Sequence, residues 1–447
     1  MKYFLQKPVF QRLPTELHTE IFAHCLPACP SFNSKEGPLL LSHVSRHWRK
    51  MTLAAPHLWA HFHIHLREQG ATDITKNRNR LTVLAFWLAR SRGYPLSITI
   101  THDPLGQLSD HRSAQLLDAL IPHAHRWKSI HLGIPSWTFE LLQERNFPAL
   151  GSLTLDMKGL RGPAKSFDFL ALRLPWAQLT GLDLHLDATS LLTLDDCLII
   201  LTQCVVLSKC TLNVSCAFNP SSSLPEKLAL PCLRHLYLTL QASEKQLVET
   251  AESSLVLFLE QLRLPQLETL KLDWLIRRDE QSDNHWSRVQ TRFISVLGGL
   301  GHSLLSFSLS YFPVTESQLL DVLAHLPNVA HLHLRFSLAD TEHDPITDGF
   351  LIALTQGLEE SARTFLPRLE ALHLQCSGAL CTFGSIRQCI LSRWSCEAAG
   401  STVGSANTSL RSFHFVSLSP IPSDVHEMSA IWSRAGLDIS IKRVSVL

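Results

Sequence analysis

Histidine is the residue this sequence arranges in patterns: 24 of them stand among 447 residues, and three groupings could do chemistry. His61, His63 and His65 alternate in WAHFHIHL, so on a strand all three project from one face. His43 and His47 are four apart in a stretch that reads as helix, close enough to chelate a metal ion. His333, His373 and His414 occupy one position in three copies of a recurring phrase, so parallel strands about 4.8 Å apart would stack them into a ladder. Imidazoles so placed could hold a metal, sense pH or face a partner. HVSRH lacks the glutamate of the HExxH zinc-protease pattern, and no cysteine or carboxylate is seen to join the ladder and complete a donor set. The reading is therefore solvated polar faces and a partner-facing surface, with no metal and no cofactor.

Other catalytic signatures are missing from the sequence. GGLGH at Gly298–His302 lacks the Lys-Ser/Thr of a phosphate loop and reads as a helix C-cap. There is no GxSxG elbow, and the basic run Lys76–Arg80 has no interleaved aromatics, so it reads as a solvated helix start. The eleven cysteines are odd in number, scattered and without a CxxC, which favours a reducing compartment over a disulfide framework. Lys7, Pro8 and Arg12 interrupt the N-terminus before a signal-peptide core develops. Cys197–Cys210 is the least polar stretch and is too short and mixed to span a bilayer. The sequons at Asn213 and Asn407 then read as chance matches. A formal charge of +1 gives no reason to expect nucleic acid or an anionic membrane as partner. The expectation is a non-enzyme of the cytoplasm, the nucleus or both.

The elements that must position the ladder are strands of a repeat. From residue 127 a phrase of the form apolar-x-x-apolar-x-apolar recurs ten times, 23 to 41 residues apart. Its anchors include Leu150/Leu153/Leu155, Leu267/Leu270/Leu272 and Leu410/Phe413/Phe415. Alternation along a strand sends the anchors to a core and the residues between them to the opposite face. The residue between the last two anchors is, in order, His131, Thr154, Asp183, Thr211, Tyr237, Lys271, Ser308, His333, His373 and His414. Amphipathic stretches lie between the copies: Ser190–Gln203, Ser253–Leu262, Ser287–Leu297, Thr315–Leu326, Phe350–Glu359 and Ser385–Trp394. Thr315 is a good N-cap for its stretch. The phrase resembles the strand segment of a leucine-rich repeat, although the trailing Asn or Cys is mostly absent. Strand, loop and helix in alternation predict a curved parallel sheet with an outer row of helices, read by its concave face. Polar loops are expected at Asn219–Lys227, Arg277–Trp286, Asp340–Asp348 and Ala398–Ser409.

Ahead of the repeats, two amphipathic helices are predicted. The first runs from Pro14, at the first helical position, to about Cys25, with Leu13, Leu17 and Ile21 on one face beside Phe22. The second starts near Pro38 and ends before Pro56, with Leu40, Leu41, Val44 and Trp48 as its apolar stripe. On periodicity alone these could be two ordinary core helices.

The ordered combination LPTEL, IF, LLLSHVSRHW and APHLW resembles an F-box. The resemblance continues through LTVLAFWLARSRGYPLSITI, Leu81 to Ile100, which is similar to the helix and strand that follow the box in mushroom-type (agaricomycete) fungal F-box proteins. There Trp87, Leu88, Arg90, Ser91, Pro95, Leu96 and Ile98 match the family's Trp-Leu-x-Arg-Ser and Pro-Leu-x-Ile segments. About the first hundred residues carry the likeness. It implies an α/β chain with an N-terminal helical F-box, residues 8–66, and a linking helix–strand region that caps the solenoid, residues 67–126. A curved leucine-rich-repeat-like solenoid of parallel strands with outer helices would follow over residues 127–447.

The implied function is the substrate-recognition subunit of a Skp-cullin-F-box ubiquitin ligase, itself non-catalytic. Leu13, Pro14, Leu17, Ile21, Leu41, Val44, Trp48 and Trp59 would contact or support the Skp-type adaptor, and through it a cullin. His131, Asp183, Tyr237, Lys271, His333, His373 and His414 would meet an unknown target protein. The alternative is a repeat scaffold that binds proteins outside any ligase.

Overall fold

The computed structural model describes residues 13–27, 29–66, 74–102, 112–157, 168–188, 190–219, 226–242, 245–276, 286–355, 365–394 and 409–444. Residues 1–12, Asn407, most of the polar segments expected at 219–227, 277–286 and 398–409, and the end of the helix expected to Glu359 lie outside them. The chain is α/β, and it divides into two compact units, Met1–Leu191 and Leu192–Leu447.

The first unit opens with α1 (Thr15–Cys25), α2 (Gly37–Val44) and α3 (Arg46–Ala54). Pro14 is the N-cap of α1 rather than its first helical residue; its ψ of 151° is extended. The expected single helix from Pro38 to Pro56 is two helices. Ser45 leaves the helical region (φ −157°, ψ 165°), and its Oγ accepts the Trp48 N–H at 3.1 Å, so it ends α2 and caps α3. Arg49 Nε then donates to the Ser42 carbonyl at 2.8 Å and straps the two helices together.

A short turn, Pro56–Trp59, leads to β1 (His61–Leu66), followed by α4 (Ile74–Ser91), β2 (Leu96–His102), α5 (Arg112–Leu120), β3 (Trp127–Leu132), β4 (Ser152–Asp156) and β5 (Gly181–His185). The five strands are parallel and adjacent in chain order. Trp59 and Trp87 are wholly buried with ring centroids 5.2 Å apart, and Phe32 and Phe62 pack on Trp87. Trp59 Nε1 also donates to the Thr52 carbonyl at 2.8 Å, so the indole ties α3 to the strand layer. Before β1, Pro30 and Ser31 lie along its free side, with His63 N–H bonded to the Pro30 carbonyl at 2.8 Å.

The second unit contains β6 (Leu192–Thr193), α6 (Leu194–Gln203), β7 (Lys209–Ser215), β8 (Leu228–Ala229), β9 (His235–Gln241), α7 (Lys245–Glu260), β10 (Leu262–Arg263), β11 (Thr269–Trp274), α8 (Trp286–Leu300), β12 (Ser306–Ser310), α9 (Glu316–Ala324), β13 (His331–Arg335), α10 (Asp348–Leu354), β14 (Ala371–Gln375), α11 (Phe383–Arg393), β15 (Ser412–Ser417), α12 (Ser423–Arg434) and β16 (Asp438–Arg443). Strands β7, β9 and β11 to β16 pair in parallel in that order, while β6 adds to β7 and β8 pairs β10 separately. Helices α7 to α11 pack on one another in chain order.

Threonines start four of these helices. Thr193, Thr315, Thr347 and Thr382 each accept an N–H from the first turn, and Asp196 and Gln318 return the bond as capping boxes. Thr347 also donates to Glu316 at 2.7 Å, which links α10 to α9. All the anchors of the ten phrases are buried, as read from sequence, in β3 to β5, β7, β9 and β11 to β15, although in β7 and β12 the intervening Thr211, Asn213, Ser308 and Ser310 are buried too. The segment Asp340–Asp348, expected as a polar loop, is a loop pinned to the fold: buried Asp344 accepts the Ser377 N–H and Oγ–H, both at 2.7 Å, and the Ile346 N–H at 3.0 Å.

Candidate functional site

On the N-terminal helices the apolar stripe and the buried face do not coincide. In α1 the inward residues are His18 and Phe22, four apart; Leu17 is 51% exposed and Ile21 40%. In α2 Leu41 is buried while Leu40 and Val44 are 47% and 56% exposed. Leu13 and Trp48 are half-buried, Pro14 is exposed and Trp59 is wholly buried. The sequence stripes therefore divide by role. Phe22, Leu41, Leu58 and Trp59 hold the helices in place, and Leu17, Ile21, Leu40 and Val44 show apolar surface on two helices that pack together. Trp48 braces them, its ring 4.8 Å from Phe22. Large apolar side chains are thus left outside the core on both helices.

His43 and His47, read from sequence as four apart on one helix, are not on one helix. Ser45 separates them, His43 ending α2 and His47 lying in α3 beside His18 at 5.8 Å between rings. His61, His63 and His65 do share one face of β1, but His63 Nε2 and His65 Nδ1 both lie within hydrogen-bond reach of Thr101 Oγ1, at 2.7 and 2.9 Å. Burial pushes His61 and His63 toward the neutral form, and the neighbouring cationic groups add to the effect. A surface cavity of about 490 Å3 in the first unit is lined by Asp118, His125 and Arg145 among others, without a serine or cysteine.

The residues expected between anchors fall into register. In the first unit the row runs His63, Thr99, His131, Thr154, Asp183. Burial holds His131 below its ordinary pKa, while Asp156 and Asp183 pull the other way. Asp183 lies 3.0 Å from His185. In the second unit the row runs Thr211, Tyr237, Lys271, Ser308, His333, His373, His414, Ser440. Lys271 pairs with Asp273 at 3.1 Å, and Lys209 lies 5.8 Å from the Tyr237 ring.

The ladder is real, and it is not bare of carboxylate. His373 and His414 stack at 4.3 Å with 3° between planes, and His333 meets His373 edge-on at 5.5 Å. Asp438, on β16, lies 3.2 Å from His414 Nε2 and accepts the Ser412 Oγ–H at 3.0 Å. The expectation that no acid joins the ladder is thus corrected. It missed β16, whose Ile439-x-Ile441 alternation, just after Leu437, lacks the Leu-Pro prefix that marks many of the copies. Burial, then His414 and His333, hold His373 down at a pKa of about 4, against a pull from Asp438. Two parallel stacked rings aim their in-plane lone pairs side by side rather than at one point, and among the described residues no three His, Cys, Asp or Glu side chains are placed to hold a metal ion.

Among the described residues no helix is long and apolar enough to cross a membrane; Cys197–Cys210 is divided between α6, a turn and β7. Asn213, in one sequon, is buried on β7 with its amide oxygen accepting from Gln241 at 3.0 Å. No protein-family model matches this chain, and no curated protein matches it.

Proposed function

We propose that this chain is the substrate-recognition subunit of a Skp-cullin-F-box ubiquitin ligase. In this reading α1 to α3 are an F-box that docks a Skp-type adaptor, and the strands from β3 onward are degenerate leucine-rich repeats that present a target. The chain itself is non-catalytic and works in the cytoplasm or nucleus, without nucleic acid or membrane as partner. The observation that carries the reading is the exposed set Leu17, Ile21, Leu40 and Val44 on helices whose own core is already filled by Phe22, Leu41 and Trp59. Burying each such side chain against an adaptor is worth about 2 kcal/mol. The ordered LPTEL, IF, LLLSHVSRHW, APHLW combination gives the same segment independent support. Holding the target near the ubiquitin-charged enzyme would then raise its effective concentration, which is the whole of the chemical contribution.

The test is co-purification with a Skp adaptor. Wild type should retain the adaptor, and both Leu13→Ala/Pro14→Ala and Leu17→Asp/Ile21→Asp should lose it. The second pair changes exposed residues, so its melting temperature should stay close to wild type. Failure of the wild-type chain to hold the adaptor, or undiminished binding by both variants, would leave the repeat scaffold outside any ligase as the better account.

A further inference from the structure

Tyr311 and Arg335 form a pair that the fold does not need for its core. Tyr311 follows β12 with φ +59°, in the left-handed region that a bulky side chain occupies at a free-energy cost. Its N–H is bonded to the Arg335 carbonyl at 2.6 Å, which holds the turn against β13. The ring stays 37% exposed, and the Arg335 guanidinium lies over it at 5.6 Å with Nη2 3.3 Å from the phenol oxygen. This orients a planar, permanently charged fork on an aromatic support.

Among the described residues no carboxylate reaches Arg335, and its Nε is buried without a hydrogen-bond partner. Its neighbours across the sheet are Ser310 and Gln375, both uncharged. The three outward rows of the second unit carry Lys209, Lys271, Arg335 and Lys442 against Asp273 and Asp438. Both acids are already engaged, Asp273 by Lys271 and Asp438 by Ser412 and His414. The field at the centre of the face has the same sign: after burial itself, Arg335 and Lys271 are what most disfavour a proton on His333, with Asp273 opposing them.

We infer that the Arg335–Tyr311 pair is a carboxylate-recognition site, and that the target segment taken by this face is acidic, rich in Asp and Glu. The inference deepens the target-binding half of the proposed function and rests on it. A carboxylate oxygen would accept, in the plane of the guanidinium, from the edge carrying Nη1 and the remaining Nη2 hydrogen, with Gln375 and His333 as further donors at hand.

The test is fluorescence anisotropy on the full chain with three labelled peptides of equal length, alternating Glu/Ser, Gln/Ser and Lys/Ser. The Glu/Ser peptide should bind, more weakly as salt rises, and the other two should not. Arg335→Gln should weaken binding roughly tenfold or more, and Arg335→Lys should keep part of it. Arg263→Gln, which removes the same charge from β10, should leave affinity unchanged. Equal binding of the Glu/Ser and Gln/Ser peptides, or an unaltered affinity for a folded Arg335→Gln chain, overturns the inference. Should that variant not fold, the wild-type salt titration decides, and salt-insensitive binding overturns it. Adaptor retention is scored separately on the same preparation. Loss of the adaptor with peptide binding intact sinks the ligase reading alone; adaptor retention without peptide binding sinks this inference alone.

Discussion

His373 shows how a single side chain reports its surroundings. It is faced by His331, His333, His414 and Asp438, and its pKa sits near 4 against an ordinary 6.5. Between those values the unfolded chain takes up a proton that the folded chain refuses, so stability falls as pH drops from about 6.5 to about 4. His373→Gln should flatten that stretch of a plot of urea midpoint against pH; a slope equal to wild type would show that His373 is not its source. Arg393 is the opposite case, a buried cation each of whose three nitrogens donates to backbone. Its guanidinium donates to the carbonyls of Leu354, Phe365 and Leu366, closing the end of α10 onto a turn whose Leu366 has φ +49°. Arg393→Ala should cost about 3 kcal/mol in chemical denaturation, because buried carbonyls would lose their donors. Neither role can be read from the residue's sequence neighbours, since Arg393 ends an ordinary amphipathic helix and its acceptors lie more than 25 positions away.

Elements were legible where one periodicity decided them. The ten phrase strands, β3 to β5, β7, β9 and β11 to β15, and their register follow from period-two alternation, because a slip by one residue would turn every leucine outward, whereas the two-residue strands β6, β8 and β10 were not foreseen. The α2–α3 break was not legible, since Leu40, Leu41, Val44 and Trp48 fit a single helix and nothing local requires Ser45 to leave it. Ser45→Ala should destabilise α3 by about 1 kcal/mol, seen as a lower melting temperature, because the Trp48 N–H loses its acceptor. The stripe of α1 misled for a related reason: spacing shows which residues share a face, whereas α2 and α3 determine which face is covered. The glycine-rich end of α8 was read correctly as a terminus. The constraint there is room rather than a left-handed backbone: Gly301 has no positive φ, but a Cβ on it would meet the His325 carbonyl oxygen at 2.5 Å. Gly301→Ala should therefore cost about 1–3 kcal/mol in urea unfolding, and a neutral result would mean that the turn yields.

At the scale of the whole chain, the two candidate surfaces lie in different compact units and use different forces. One is apolar and lies on helices; the other is polar, cationic and lies on strands. Leu17→Asp/Ile21→Asp should abolish adaptor retention without altering Glu/Ser peptide affinity, and Arg335→Gln should do the reverse. A variant that moved both readouts would tie the surfaces together energetically. The sheets themselves raise a different issue at their margins. Among the described residues, Pro30 and Ser31 occupy the open side of β1 in the first unit, and β16 ends the strand order in the second, with Asp438, Lys442 and Arg443 along it. An uncovered parallel strand is a template on which another copy can polymerise. A proline-bearing cover blocks that route by occupancy, while charge blocks it by repulsion that dissolved ions weaken. The colloidal behaviour of this protein should accordingly depend on ionic strength through β16, and concentrated stocks should stay dispersed longest in dilute buffer.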